Sequence, residues 1–308
     1  MYQQVSFLDR LKAFFGSQSV LPKLILINLV IWALIRFFGV FAFLFSTPGS
    51  DPSADLYGIV MQWLAVPADF SNLISKPWTL FSYMFLHIDF FHILFNMLWL
   101  FWFGQIFLQY LNNRQLVFTY ITGGIAGAIF FITFYNIFPV FETVLPAALA
   151  LGASASVLAI VVGIAFYVPN YTIYLLLLGP VKIKYIAIFT VIIDFMMIRS
   201  GNAGGHIAHL GGALWGFLYM RAVSKGLDFS LLFRNLKFPS FGGIFRSKKK
   251  HPFRNIYSNE KPLTDDEYNY HKVQNQKKID EILEKIKRSG YDSLSREEKE
   301  LLFSSSRK

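Results

Sequence analysis

Apolar residues run nearly unbroken for long stretches through residues 22–223, with short polar connections between the runs. A helix that crosses a hydrocarbon core of roughly 30 Å needs about 20 mainly apolar residues. Six segments meet or approach that length: 22–45, 87–109, 115–138, 145–168, 183–199 and 205–223. The fifth is short and the sixth is rich in glycine, so hydropathy marks them less sharply. Residues 56–80 are apolar too, but Pro67, Pro77 and several polar residues interrupt them. That segment reads as a loop dipping into the interface rather than as a span. The pattern predicts an all-α membrane protein with six transmembrane helices.

Outside the bundle the pattern changes. Phe7, Leu8, Leu11, Phe14 and Phe15 recur at helical spacing with Asp9, Arg10 and Lys12 between them. This predicts a short amphipathic helix, lying on the membrane surface or packed on protein. No small-residue cleavage site follows the first apolar run, so no cleavable signal peptide is expected. After about residue 224, Lys248, Lys249, Lys250 and Arg254 form a basic linker suited to anionic headgroups. Thr264 and Glu267 then make a capping box before a helix with Ile279, Ile282, Leu283 and Ile286 on one face; Gly290 ends it, and Ser295 with Glu298 caps a second. The expected division is an N-terminal segment over 1–20, a membrane domain over 21–223, and a cytoplasmic linker with a small soluble helical tail over 224–308.

Composition sharpens this picture. Hydrophobic residues make up 54% of the chain and charged residues only 16%, which is unlike a soluble domain of this size. The absence of cysteine excludes disulfides and thiolate metal sites. The net charge of +10 does not point to nucleic acid, because the basic residues gather at the N-terminus, in short connections and after residue 220. Arg10, Lys12 and Lys23 precede the first span; Arg114, Lys182 and Lys184 lie at alternate connections; Arg221 and Lys225 follow the last. The positive-inside rule then puts both termini in the cytoplasm of a multi-pass inner-membrane protein. Arg36, inside the first span, must snorkel or find a partner.

Ionisable and amide groups inside spans are costly, and they carry the candidate chemistry. Of the six histidines, His87, His92, His206 and His209 lie in or at the edge of spans, all toward the outer face. His92 and Asn96 are one helical turn apart on a common face. They are either interhelical hydrogen-bonding groups or donors aimed at a developing oxyanion. The fourth span contains GASAS at 152–156, and the sixth contains His209 followed by Gly212 and Gly216. The glycines permit close helix approach, which activation of a serine by a histidine at about 2.6–3.2 Å requires.

These residues resemble the motifs of the rhomboid intramembrane serine proteases: a His-x-x-x-Asn pair on the second span, Gly-x-Ser-x-Gly on the fourth, and His-x-x-Gly-x-x-x-Gly on the sixth. Here the matching positions are His92 with Asn96, Gly152 with Ser154, and His209 with Gly212 and Gly216; His87 matches a further upstream histidine. Ser156 replaces the motif's last glycine, and Thr79 stands after Trp78 where arginine is frequent. The resemblance covers roughly residues 20–223. It implies a rhomboid-like bundle and a Ser154–His209 dyad without a third carboxylate. His92, Asn96 and the Ser154 backbone N–H would bind the oxyanion, with no cofactor or metal. Asp194 is expected to serve its own helix's contacts rather than the reaction.

The implied substrates are spanning helices of other membrane proteins, cleaved within the lipid bilayer. The fifth span and residues 199–205 would form a mobile cover. Ser154, about eight residues into its span, would lie roughly 12 Å deep. Two other readings compete. A non-catalytic rhomboid-like binding factor would share the fold without turnover. A bis-histidine haem or quinone protein would use His92 and His209 as ligands but leave Asn96 and GASAS without a role.

Overall fold

The longest apolar runs in the sequence form long helices. The computed structural model describes residues 6, 14–16, 19–47, 49, 52–175, 179–234, 278–295 and 297–299. The chain divides into two compact units, residues 1–247 and 248–308. In the first unit the main helices are α1 (Leu21–Leu44), α2 (Pro52–Leu64), α3 (Phe90–Tyr110), α4 (Asn113–Ile137), α5 (Ser154–Tyr167), α6 (Ile183–Met196) and α7 (Ala203–Ser224). Two short antiparallel ladders accompany them. One pairs β1 (Val66–Pro67) with β2 (Leu149–Ala150), and the other pairs β3 (Thr172–Leu175) with β4 (Gly179–Lys182).

Among the described residues, three helices are both long and apolar enough to cross a membrane: α1, α3 and α4. The other three expected spans differ for separate reasons. The 145–168 segment is helical only from Ser154, because its first part forms a turn at Leu145–Ala147 and then strand β2. The helix of the 183–199 segment is α6, 14 residues long, or roughly 21 Å at 1.5 Å per residue. Helix α7 has 22 residues, but its glycines, histidines and Arg221 lower its hydropathy. Residues 56–80 also depart from expectation: α2 occupies 52–64, ahead of the prolines that were to break it. Its last carbonyls are bonded by side chains from the following loop: Lys76 Nζ to Gln62 O (2.9 Å), Trp78 Nε1 to Trp63 O (2.8 Å) and Ser82 Oγ to Leu64 O (2.7 Å).

Polar residues inside the apolar helices find partners. Asn28, fully buried on α1, bonds Leu24 O (2.8 Å) and the hydroxyl of Tyr120 on α4 (3.1 Å), and that hydroxyl donates to Met84 O (3.2 Å). Arg36 reaches the carbonyl of Ile88 and lies against Tyr57 of α2. The opposite face of α1 leaves Leu34, Phe37, Phe38 and Phe41 exposed, as a lipid-facing surface requires. Phe14, in the N-terminal segment, packs edge-on against Phe101 of α3 at 5.2 Å. That contact is with protein.

The centre of the bundle is α5, almost wholly buried between α3, α4 and α7. Small residues let it sit there. A Cβ at Gly212 of α7 would lie 2.1 Å from Ala155 O, and one at Gly216 would lie 2.1 Å from Ala159 O. On the other side, Gly123 of α4 faces Ala159, and Gly124 faces Ser156. The helices therefore meet backbone to backbone. Helix α4 begins with a reciprocal capping box between Asn112 and Gln115.

Residues after α7 stay with this unit. Asp228 accepts from Tyr219 Oη (2.8 Å), Gln115 Nε2 (3.2 Å) and Ser230 N (2.9 Å), and pairs with Arg114 (3.4 Å). In the second unit residues 278–289 are helical, and Gly290, at φ 80°, ends that helix with a bond to Ile286 O. Ser295 and Glu298 exchange both bonds of a capping box. The predicted box at Thr264 and Glu267, and the basic linker, lie outside the described residues.

Two predictions follow from these contacts. Gly212→Ala should lower the thermal stability of the detergent-solubilised protein by about 1–3 kcal/mol or more, because backbone must move to admit the methyl group. Gly58→Ala, inside α2 with nothing within 4 Å of its added Cβ, should not lower it and should raise it by up to about 1 kcal/mol. The second concerns Asp228. Burial alone would raise its pKa, but hydrogen bonds from Ser230 and Tyr219 and the Arg114 charge together hold it below the usual carboxylate range. A depressed folded pKa adds stability that is complete above the unfolded value of about 3.9 and is lost as pH falls through the folded one. The melting-temperature gap between wild type and Asp228→Asn should thus be constant above about pH 5 and close in more acid solution.

Candidate active site

The turn into α5 is built around Gly152. This residue adopts φ 120°, a conformation that side-chain-bearing residues rarely take, and a Cβ here would lie 2.9 Å from His92 Nε2. Its N–H donates to Tyr83 O (2.9 Å), and the next N–H, of Ala153, donates to His87 Nε2 (3.4 Å). His87 is buried and its ring packs against that of His92, with centroids 5.1 Å apart. The loop before α5 is thus held by the segment leading into α3. Ser154 is the first residue of the helix, and the N–H groups of a first turn have no intrahelical acceptor. The chain reaches it through the non-helical stretch 148–153 rather than through two turns of helix.

Ser154 lines a cavity of about 620 Å³ together with His92, Asn96, Asp194 and His209. Four separate helices contribute these groups: α3, α5, α6 and α7. His92 and Asn96 share a face of α3, as expected; the Asn96 amide donates to His92 O (2.9 Å) with one of its two hydrogens. Ser156 does not line the cavity. It is fully buried on the other side of α5, with its hydroxyl 3.9 Å from Met84 Sδ and next to Gly124. Gly212 and Gly216 hold α7 against α5, and His209, one turn before Gly212, projects into the cavity.

Asp194 departs from expectation. Its Oδ1 lies 2.7 Å from His209 Nδ1 and 2.8 Å from His206 Nδ1, and its side chain is only 8% exposed. Its contacts are therefore made to α7. The signal was present in the sequence as a carboxylate within an apolar run, but periodicity along one helix does not say which neighbouring helix it meets. Potential ligand atoms of Asp194, His206 and His209 all fall within 4.8 Å of one another, the kind of grouping that can hold a metal. The 2.7 and 2.8 Å contacts are hydrogen-bond lengths, whereas tetrahedral zinc would spread its ligands to about 3.3 Å.

Residues 75–226, which include α3 to α7 with the whole cavity lining, match the family described as Rhomboid domain. That stretch is a rhomboid domain. A relative, RHOMBOID-like protein 12, mitochondrial, of Arabidopsis thaliana, is 30% identical over 157 residues, covering 48% of this chain and 47% of that protein. The chain thus spans about half the length of the curated relative it matches. Helices α1 and α2 lie outside the rhomboid match. Residues 264–308 match a family of unknown function (DUF6576), which sets the tail apart from the rhomboid domain.

Gly152 gives a direct test of how the rhomboid site is held. Gly152→Ala should destabilise the protein both by strain at positive φ, about 1–3 kcal/mol, and by collision with His92. Gly201→Ala carries only the first cost, since Gly201 has φ 92° and open space around it. Thermal unfolding in detergent should therefore show the larger loss for Gly152→Ala.

Proposed function

We propose that this rhomboid is an intramembrane serine endopeptidase that cleaves spanning helices of other membrane proteins. In this reading α1, α3, α4, α5, α6 and α7 are its six spans, and both termini lie in the cytoplasm of a cell whose inner membrane holds it. The observation that carries the reading is that Ser154 and His209, from separate helices, line one cavity with His92 and Asn96 while Ser156 is sealed away from it.

The chemistry would run as follows. Ser154 Oγ bonds to the scissile carbonyl carbon while its proton passes to His209. The carbonyl oxygen becomes an oxyanion held by the Ser154 N–H, His92 and Asn96. Collapse of this intermediate breaks the C–N bond, and His209 delivers the proton to the leaving amine. Water then enters the cavity and releases the acyl group by the same steps in turn. The substrate helix would unwind near its outer end to reach Ser154, and residues 199–205 with α6 would give way to admit it. The membrane lipid is the other partner, and the tail is a separate soluble appendage.

The test is cleavage of a helical membrane substrate by the full-length protein in liposomes, paired with fluorophosphonate labelling. Wild type should cleave and label. Ser154→Ala should lose at least about 10³-fold in turnover and all labelling. His209→Ala should lose labelling, since only an activated serine reacts efficiently. Ser156→Gly should keep most activity, because the hydroxyl it removes packs on Met84 and Gly124. A protein that binds the substrate helix without cutting it would be a binding factor instead. Cutting by Ser154→Ala would show that another residue is the nucleophile.

A further inference from the structure

We infer that Asp194 is a positioning residue for His209, so that the reactive set is a relay of Ser154, His209 and Asp194 with His206 holding the carboxylate from the far side. The inference rests on the hydrolytic reading above. Its basis is one oxygen: Asp194 Oδ1 meets His209 Nδ1 at 2.7 Å and His206 Nδ1 at 2.8 Å.

An ionised carboxylate only accepts hydrogen bonds, so a ring nitrogen at that distance must carry the proton. With Nδ1 protonated, neutral His209 keeps its lone pair on Nε2, the nitrogen left to take the Ser154 proton. Without the carboxylate the two tautomers compete, and in one of them Nε2 already carries a hydrogen and cannot act as a base. The contact also fixes rotation of the ring about its side-chain bonds, and after proton transfer it places a negative charge beside the imidazolium. Throughout, the Nδ1 proton stays on His209 and the carboxylate stays ionised.

The surroundings fit that role. Asp194 sits on an apolar helix where an unpaired carboxylate is costly, and its side chain is nearly buried. The two histidines that satisfy it are three residues apart on α7, so they present neighbouring ring nitrogens to it. His206 therefore restrains the carboxylate from a second direction, keeping Oδ1 on His209 without touching the substrate. Asn202 caps the same end of α7 through a bond from Gly205 N (3.2 Å), steadying the turn from which both histidines project.

The experiment measures kcat and KM of the full-length protein in liposomes against a helical membrane substrate, alongside the fluorophosphonate labelling rate. Asp194→Asn nearly preserves shape but removes the charge and the obligatory acceptor. Its kcat and labelling rate should fall together by about 10²-fold or more, with KM and melting temperature close to wild type. His206→Gln should give a smaller fall in kcat. A second measurement needs no active-site variant to be catalytically competent. Wild-type protein labelled at histidine should show a far-downfield Nδ1 proton resonance that persists in His206→Gln and vanishes in Asp194→Asn or His209→Gln.

An Asp194→Asn variant within about twofold of wild-type kcat, or a wild type lacking that resonance, would overturn the inference while leaving the serine mechanism intact. If wild type itself fails to cleave, the hydrolytic reading falls and the inference with it; the resonance would then report only a structural ion pair.

Discussion

Everything in the membrane unit depends on how closely α7 can approach α5. With Gly212 and Gly216 facing the carbonyls of Ala155 and Ala159, the two helix backbones touch without intervening side chains. Lipid tails are as apolar as leucine, so no hydrophobic gain drives helices together in a bilayer; close van der Waals contact must do it. That contact sets the distance between the first residue of α5 and the histidine one turn before Gly212. Alanines on α5 and glycines on α4 repeat the arrangement on the opposite side. A single methyl group at any of these points would open the bundle beside the candidate site.

Around that seam the buried polar groups are arranged so that almost every costly group serves two elements. Asn28 and Tyr120 tie α1 to α4, Arg36 ties α1 to the loop before α3, and His87 ties that loop to the turn before α5. Asp194 ties α6 to α7. Each bond is short-range, yet together they link the described helices around the candidate site. An apolar bundle of this kind would otherwise slide, because leucine packs on leucine in many registers.

Much of the candidate site's geometry was readable from spacing, and the reason is geometric. His92 with Asn96, and His209 with Gly212 and Gly216, are relations within one helix, and 3.6-residue periodicity makes them explicit. The opposition of Ser154 and Ser156 follows from the same rule. What the sequence hid lay between elements. Helix α5 starts nine residues later than hydropathy suggests, because residues 149–150 pair with 66–67, some 80 positions away. Helix α2 is obscured in the sequence because the apolar run continues past its end to Pro67 and Pro77, which break the run and not the helix. The partner of Asp194 lies on another helix and has no signature in its own. Spans α1, α3 and α4 were plain because their length and apolarity do not depend on neighbours.

The shortness of α6 carries a consequence for the surrounding lipid if, as proposed, that helix spans the bilayer. It has 14 residues, roughly 21 Å of helix against a hydrocarbon core near 30 Å. Such a mismatch is relieved by thinning of the adjacent leaflet, at a fraction of a kcal/mol per ångström. Headgroups are then drawn inward beside α6, the half-exposed neighbour of the cavity. On the proposed function, a dimple of this sort would shorten the path for water and deprive a passing substrate helix of part of its hydrocarbon shelter. The protein would deform its solvent in order to unravel what is dissolved in it.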